Sequence, residues 1–495
     1  MLEINNKDNI SFIGVCAGII IFLFFFLTES PEGLSRTGWL TLGIAILMAV
    51  WWMSEAIPIY ATGLVPLLAF PILNILDIKE ASNSYAHPLN LLFLGGFIIA
   101  ACMQDSLLHK RIALNIINIF GTSPSRIIAG FMIATSVLSM GVSNTASTIM
   151  MLPIALSVIS LFEGVNNSKN KENDKFALPL LLSIAYSASI GGMATLIGTP
   201  TNIMLAGVLS NSYNYQIGFL EWFMIGFPLV LFMIPSIWFF LTRIIFKVTN
   251  ESNSKLKESL IIKKNELGKI TYHEKIVAFV FSLVALLWIF RRKINSLFPD
   301  FGINDTSIAI FGALLLFIIP ISKSKRACSW DVAIKIPWGV LFLIGGGLCL
   351  SSAFKTSGLA NWLGSYAYIM KDLNIYLLIL FTVAITIFLT ELNSNTATVA
   401  TFSPILIIFA INLGINPLIL VIPATFAASC AFMLPSATAP NAVVYGSGLI
   451  SINKMLKTGI LLNFYSILIV SIISLFLLRI IFNIEFNSLP NWVEN

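Results

Sequence analysis

Apolar positions in this chain fall into long runs separated by short polar stretches. Residues 10–27, 39–52 and 57–76 are the first three runs. The first is at the lower end of the roughly 17–25 mostly apolar residues a helix needs to cross a bilayer, and the other two read as a second and a third span. The third contains Pro58, Pro66 and Pro71, which predicts a spanning helix kinked at its prolines and repaired by its neighbours. A fourth run starts near residue 89 and leads into residues 105–120. There Lys110, Arg111 and Asn115 alternate with Ile and Leu, the pattern of an amphipathic arm lying along the interface. Residues 121–163 hold two apolar arms, 126–138 and 149–162, each too short to span comfortably. They predict a hairpin that dips in and returns, with Ser143-Asn144-Thr145 at its tip. A polar loop at 164–175 carries Lys169, Lys171 and Lys175 and precedes the run 176–209, which is interrupted at Gly198-Thr199-Pro200. Proline lacks a donor and clashes with the turn before it, so the helix should unwind there and expose carbonyls. Residues 219–246 close the first half.

Residues 247–275 are the most charged stretch, with Lys255, Lys257, Lys263, Lys264 and Lys269 against Glu251, Glu258 and Glu266. They read as a cytoplasmic linker. The second half repeats the plan. Spans at 276–290 and 306–321 precede a Gly-rich run at 338–350, an arm at 354–370 and a second hairpin at 372–413. A run at 418–449 is broken at Ala437-Thr438-Ala439-Pro440, and a last span at 456–482 leads to a polar tail.

Three markers recur in the same order. Ser143-Asn144-Thr145-Ala146-Ser147, leading to Pro153, returns as Ser394-Asn395-Thr396-Ala397-Thr398, leading to Pro404. Gly198-Thr199-Pro200-Thr201-Asn202 returns as Ala437-Thr438-Ala439-Pro440-Asn441. Leu92-Phe93-Leu94-Gly95-Gly96 returns as Leu341-Phe342-Leu343-Ile344-Gly345-Gly346. The chain is therefore internally duplicated, and in membrane proteins duplication points to transporters with a site at the repeat interface. With about five helices per half, the halves are expected to be inverted, so that one hairpin enters from each side. Lys323, Lys325, Arg326, Lys335, Lys454 and Lys457 fall on the side of the linker, while Arg291-Arg292-Lys293 dissents.

Composition narrows the class. Of 495 residues, 57% are hydrophobic and 11% charged, against about 25% charged in a soluble domain. The reading is an all-α polytopic membrane protein. The net charge of +6 sits mostly in loops and reflects topology rather than nucleic-acid binding. Five scattered cysteines, without a C-x-x-C pair, suggest neither a disulfide framework nor a zinc site, and the three histidines make no ligand spacing. No signal-peptide pattern is evident, so the first run is expected to stay as a membrane helix.

The repeated motifs carry the chemistry. A buried amide or hydroxyl without a partner costs a few kcal/mol, so these groups need something to bind. Carbonyls freed at the breaks, together with hydroxyl and amide oxygens, suit an alkali cation, and helix N-termini suit an anion. A site for an anion that has no Lys or Arg needs positive charge from elsewhere, and bound sodium supplies it. Interhelical glue explains a lone Ser-Asn-Thr, but not two copies each followed by a matching break. Glu391 either sets the charge of a cation site or merely pairs with a neighbour or caps a hairpin arm; Glu55 ends its span and reads as a scaffold or interface residue.

These paired motifs, spread over nearly all of the chain, resemble the divalent anion:sodium symporter family, the sodium-coupled di- and tricarboxylate transporters. The resemblance implies about eleven transmembrane helices plus two re-entrant hairpins in two inverted repeats. It also implies a homodimer and an elevator movement of a transport domain against a scaffold. On that plan residues 1–120 and 273–370 form the scaffold, 121–248 and 371–484 the transport domain, 249–272 the cytoplasmic linker and 485–495 a polar tail. Carried over, a first sodium site uses Ser139, Ser143, Asn144 and Gly198, and a second uses Thr390, Asn393, Asn395 and Ala437. The carboxylates meet Ser143, Asn144, Thr145, Ser394, Asn395, Thr396 and Thr438. The family usually has Thr-Pro-Pro-Asn at both breaks; here they read Thr199-Pro200-Thr201-Asn202 and Thr438-Ala439-Pro440-Asn441, placing Ala439 where a substrate-facing proline is expected. Asn393 stands where the family has a small residue.

The expected function is sodium-coupled import of C4 dicarboxylates such as succinate, malate or fumarate across the cell's inner membrane, with the substrate, the bilayer and a second copy of the chain as partners. The alternatives are a sodium-independent exchanger of the same fold and a sulfate or tricarboxylate transporter. An enzyme is disfavoured, because no H-E-x-x-H, G-x-S-x-G or Ser/His/Asp set appears.

Overall fold

A computed structural model describes residues 2–121, 123–165, 173–248, 262, 264–300, 302–371, 373–486 and 488–493. Linker residues Glu251, Lys255, Lys257, Glu258 and Lys263, and the loop residues Lys169 and Lys171, lie outside the described residues. Among the described residues the fold is helical, with no strand. Eight helices among the described residues are long and apolar enough to cross a membrane, and seven further apolar helical stretches, Ile59–Ile72 with its break among them, are shorter.

In the first half, α1 (Leu2–Leu27) packs on α2 (Arg36–Ser54). Then come α3 (Pro88–Asp105) and the arm α4 (Leu108–Phe120). The hairpin follows as α5 (Pro124–Ser139) and α6 (Asn144–Val165), and the broken pair as α7 (Asn173–Gly192) and α8 (Pro200–Tyr213). Helix α9 (Phe219–Phe239) runs into a π-helical turn, Phe240–Ile245. The second half contains α10 (Tyr272–Leu297), α11 (Asp305–Ile318), α12 (Trp338–Thr356) and α13 (Leu359–Ser365). Its hairpin is α14 (Ile375–Leu392) and α15 (Asn395–Asn412), and its broken pair α16 (Leu418–Ala428) and α17 (Ala439–Tyr445). Helix α18 (Ile452–Ile481) ends the series.

The broken helices are the interior axis. Residues 176–199, 201–209 and 415–432 are buried without interruption. A helix that is apolar all round is a buried one. The last helix shows the opposite arrangement. In α18, Leu461, Phe464, Leu468, Ile472, Phe476 and Ile480 are exposed along one stripe, while Asn463, Ser466, Ser471 and Ser474 face inward and are buried. Large apolar side chains outside and small polar ones inside suit a hydrocarbon solvent.

One expected span is corrected. Residues 57–76 form two short helices, Ile59–Thr62 and Val65–Ile72, rather than one kinked span. The cause is a close crossing at Gly63. A Cβ on Gly346 of α12 would lie 2.2 Å from the Gly63 carbonyl oxygen, and Tyr85 donates its hydroxyl to that same oxygen at 2.6 Å. Backbone pressed against backbone, with the freed carbonyl satisfied by a tyrosine, favours a break over a kink. The other glycine pair behaves alike: a Cβ on Gly95 would lie 2.7 Å from the Ala309 backbone of α11. The arm expected at 354–370 is likewise split, into α13 and a 3₁₀ turn at Tyr366–Met370.

The dissenting basic loop has a physical explanation. Arg291 pairs with Asp305 at 3.0 Å, and Arg292 pairs with Glu221. The same carboxylates accept the Phe219 N–H at 2.9 Å and the Gly218 N–H at 2.6 Å. Two of the three positive charges are thus paired with carboxylates, Arg291 largely buried and Arg292 at the surface, and weigh less in a topology set by free charge. On the arm, Arg111 grips Glu274 through two contacts of 2.7 and 3.2 Å and donates to the carbonyls of Leu267 and Gly268 at 3.1 and 2.9 Å. This pins α4 to the start of α10.

The glycine crossings give a direct test. Gly95→Ala and Gly346→Ala should each lower the melting temperature of the detergent-purified protein, since overpacking a tight contact costs roughly 1–3 kcal/mol. Gly302→Ala, with open space around it, should leave the melting temperature unchanged; equal behaviour of all three variants would refute the crossing.

Candidate functional site

The hairpin tips are short because the second arm of each begins within the motif. Helix α6 starts at Asn144 and α15 at Asn395. Ser143 Oγ accepts the Ala146 N–H at 3.3 Å, as an N-cap serine does. At the second tip Asn393 turns its side-chain oxygen onto the Ser394 N–H at 2.8 Å. Its side chain is thereby occupied at the tip, and the unusual asparagine is tolerated there.

An oxygen cluster is built twice. Ser139 Oγ lies 2.7 Å from Asn144 Oδ1 and 2.7 Å from the Ala188 carbonyl oxygen. Thr390 Oγ1 lies 2.7 Å from Asn395 Oδ1 and 2.8 Å from the Ala428 carbonyl oxygen. Ser139 and Thr390 are fully buried. In each repeat a hydroxyl, an amide oxygen and a backbone carbonyl oxygen thus converge. Such an oxygen-rich, uncharged set suits a hard cation. In the first repeat Gly192 adjoins the cluster: a Cβ there would lie 2.3 Å from Asn144 Oδ1. Gly198 sits on the same turn, where a Cβ would lie 2.5 Å from the Gly192 carbonyl oxygen.

The breaks repeat as closely as the tips. Asn202 Nδ2 donates to the carbonyls ten and seven residues back, Gly192 and Thr195, at 3.0 and 2.8 Å. Asn441 Nδ2 donates to the carbonyls ten and seven residues back, Ala431 and Leu434, at 3.0 and 3.0 Å. Each asparagine clamps the carbonyls that unwinding has freed. The residues preceding the second half-helices match in conformation, Thr199 at φ −143°, ψ 145° and Thr438 at φ −140°, ψ 149°. Thr438 also accepts the Asn441 N–H at 3.2 Å. Thr201, in place of the usual second proline, lies 3.1 Å from the Thr199 hydroxyl and 3.4 Å from that of Ser429, so it links the two breaks.

These parts come together. Helix α6 packs on α7 and α17, and α15 packs on α8 and α16. Each motif therefore lies beside its own break and against the other repeat's second half-helix. Ser143, Asn144, Thr145, Ser394 and Asn395 are half-buried, Thr396, Ala437 and Thr438 are buried, and Ala439 is exposed. The fifth residue of each motif, Ser147 and Thr398, is buried with no hydrogen-bond partner for its hydroxyl, as is Asn441 Oδ1.

Some site residues carried little or no sequence signal. Glu391 receives three consecutive backbone N–H groups, from Phe432, Met433 and Leu434, and the Asn463 amide. Tyr186 donates to the Phe432 carbonyl at 2.8 Å and Trp222 to the Met193 carbonyl at 3.0 Å. Asn463, Tyr186 and Trp222 lie outside any repeated phrase. Only an unsatisfied amide or carbonyl in three dimensions identifies them.

Comparison with known proteins follows the same line. Residues 9–484 match the model of the sodium:sulfate symporter transmembrane region. A Staphylococcus saprophyticus protein named sodium-dependent dicarboxylate transporter SdcS is 40% identical over 492 residues, covering 97% of this chain and 95% of that one. A Staphylococcus aureus protein of the same name is 39% identical over 485 residues, covering 96% and 92%. Among solved structures, MtrF of Neisseria gonorrhoeae, from a class of antimetabolite efflux pumps, superposes with a TM-score of 0.59 at 15% identity, covering 90% of this chain and 96% of that one. The YdaH transporter of Alcanivorax borkumensis gives 0.57 at 13%, covering 91% and 99%. At those identities the two structures speak for the fold alone. With the family model spanning almost the whole chain, and relatives at 40% identity along its length, the protein belongs to the sodium:sulfate symporter family, as the paired motifs led us to expect.

Proposed function

We propose that this protein is a secondary transporter that carries C4 dicarboxylates across the cell's inner membrane together with sodium. The observation that carries the reading is the duplicated cluster of three converging oxygens, at Ser139 and at Thr390. The printed names of relatives 40% and 39% identical to this chain support the choice of sodium and dicarboxylate. One sodium ion is held by Ser139, Ser143, Asn144 and Gly198, and the other by Thr390, Asn393, Asn395 and Ala437. The carboxylates lie between Ser143-Asn144-Thr145 and Ser394-Asn395-Thr396, with Thr438 and Ala439 closing one side. Helices α6 and α15 begin at these motifs, so the positive ends of their dipoles favour an anion there.

In this reading the hairpins are re-entrant, one from each side, within two inverted repeats and about eleven spans. Residues 121–248 and 371–484 move as the transport domain of an elevator, and residues 1–120 and 273–370 form the scaffold of a homodimer. Residues 249–272 link the two halves on the cytoplasmic side, and 485–495 form a tail.

Uptake of radiolabelled succinate into proteoliposomes tests the reading. An inward sodium gradient should drive accumulation above the external level, and potassium or choline should not. Asn144→Ala and Asn395→Ala should each abolish accumulation while the protein stays monodisperse, because each amide serves a cation and a carboxylate together. Accumulation driven only by internal succinate, without sodium, would replace symport by exchange.

Selectivity is expected to reside partly at Ala439. It occupies the first position of α17, where proline is tolerated, and Pro200 occupies the matching position of α8 after a residue of matching conformation. Ala439→Pro should therefore fold. It should change the competition of citrate and sulfate against succinate by roughly 10–200-fold, since a methylene or so in a pocket is worth about 1–3 kcal/mol. An unaltered competition profile would remove Ala439 from the site.

A further inference from the structure

The two cation sites share one plan, and Glu391 beside the second has no acidic counterpart beside the first. Glu391 follows Thr390 in the chain and is 3% exposed. Its Oε1 accepts the N–H groups of Phe432 and Met433 at 2.7 and 2.9 Å and the Asn463 amide at 2.7 Å, and its Oε2 accepts the Leu434 N–H at 3.2 Å. Among the described residues no lysine, arginine or histidine pairs with it. The first repeat has Met140 in this place, and the Met140 carbonyl accepts the Thr195 hydroxyl. The first break satisfies its own amides: Met193 and Ala194 donate to Ile190 and Gly191 at 3.0 and 3.1 Å. One break is closed by neutral groups and the other around a carboxylate.

We propose that Glu391 is the positioning residue of the second cation site and gives it a fixed negative charge that the first lacks, so that the second site binds sodium more tightly and fills first. This rests on the sodium-coupled reading above. Two effects act together. A planar trans peptide points its N–H and C=O in opposite directions. With three N–H groups turned onto Glu391, the carbonyls of Ala431, Phe432 and Met433 face away from it. Asn441 takes the first and Tyr186 the second, at 3.0 and 2.8 Å. The loop that follows the Ala428 carbonyl of the Thr390 cluster is thereby held by protein groups alone. The second effect is charge. Four neutral donors orient the carboxylate but bring no full counter-charge, and a buried ion without one is costly. A sodium ion at the neighbouring cluster supplies it, and in a low-dielectric interior the attraction acts over several ångströms. At the Ser139 cluster Met140 stands in that place and brings no such charge.

The test is the thermal stabilisation of the purified full-length protein by sodium chloride, without substrate, choline chloride keeping ionic strength constant. Wild type should show two phases. Glu391→Gln retains an oxygen at Oε1 for three of the four bonds, removes the charge and gives up the bond from the Leu434 N–H. It should raise the sodium concentration of the tighter phase about tenfold or more, leaving the weaker phase in place. A Glu391→Gln protein that folds and titrates like wild type would overturn the proposal while leaving sodium coupling intact. A wild type with no sodium response would sink both. Should Glu391→Gln fail to fold, Thr390→Ala and Ser139→Ala rank the sites. The tighter phase should vanish with the first and survive the second, and the reverse order would refute the assignment.

Discussion

Two helices of this protein stop in its interior, and the backbone groups at each stop must find partners where there is no bulk water. That constraint governs the rest. An unpaired buried amide or carbonyl costs on the order of 1–3 kcal/mol. At each stop one asparagine, Asn202 or Asn441, holds two freed carbonyls through its two amide protons. The hairpin tips complete the arrangement by bringing Ser139 and Thr390 to the carbonyls of Ala188 and Ala428. The surrounding helices bury these irregular segments and turn their large apolar side chains outward, as the exposed stripe of α18 shows.

Once the asparagines and the turn bonds have been made, the surplus is in oxygens. A hydroxyl shared between an amide oxygen and a carbonyl oxygen leaves an acceptor cluster that a monovalent cation completes. The motif residues carry no positive charge, and a helix N-terminus offers only about half a charge. A dianion entering alone therefore gains little against the cost of leaving water. In the proposed reading, sodium at the two clusters changes the sign of the local field and ties each tip to its break, and coupling follows from the chemistry of neutral ligands.

Much of this was legible in the sequence because duplication supplies an internal control. A single Ser-Asn-Thr means little; two copies at the same distance from a proline, each followed by a break ending in asparagine, single out Asn144, Asn395, Asn202 and Asn441 together. The breaks were legible because proline and glycine act locally. What stayed hidden depended on a distant partner. The run at 57–76 reads as one kinked span, and only the crossing of Gly346 over Gly63 divides it. Arg291 and Arg292 looked like free topogenic charges until Asp305 and Glu221 were seen beside them. Glu391 stood out as an intramembrane acid, but whether it served a neighbour or an ion could not be read without Phe432, Met433 and Leu434 folded back upon it.

The central claim is that sodium and dicarboxylate bind as one thermodynamic unit. Calorimetric titration of the purified protein measures this most directly: succinate affinity at a series of sodium concentrations, balanced with choline, and sodium affinity at a series of succinate concentrations. Linkage requires each ligand to strengthen the other by the same factor, and the account predicts a factor of ten or more, with succinate binding almost lost in choline. Succinate affinity that is equal in sodium and in choline would contradict it.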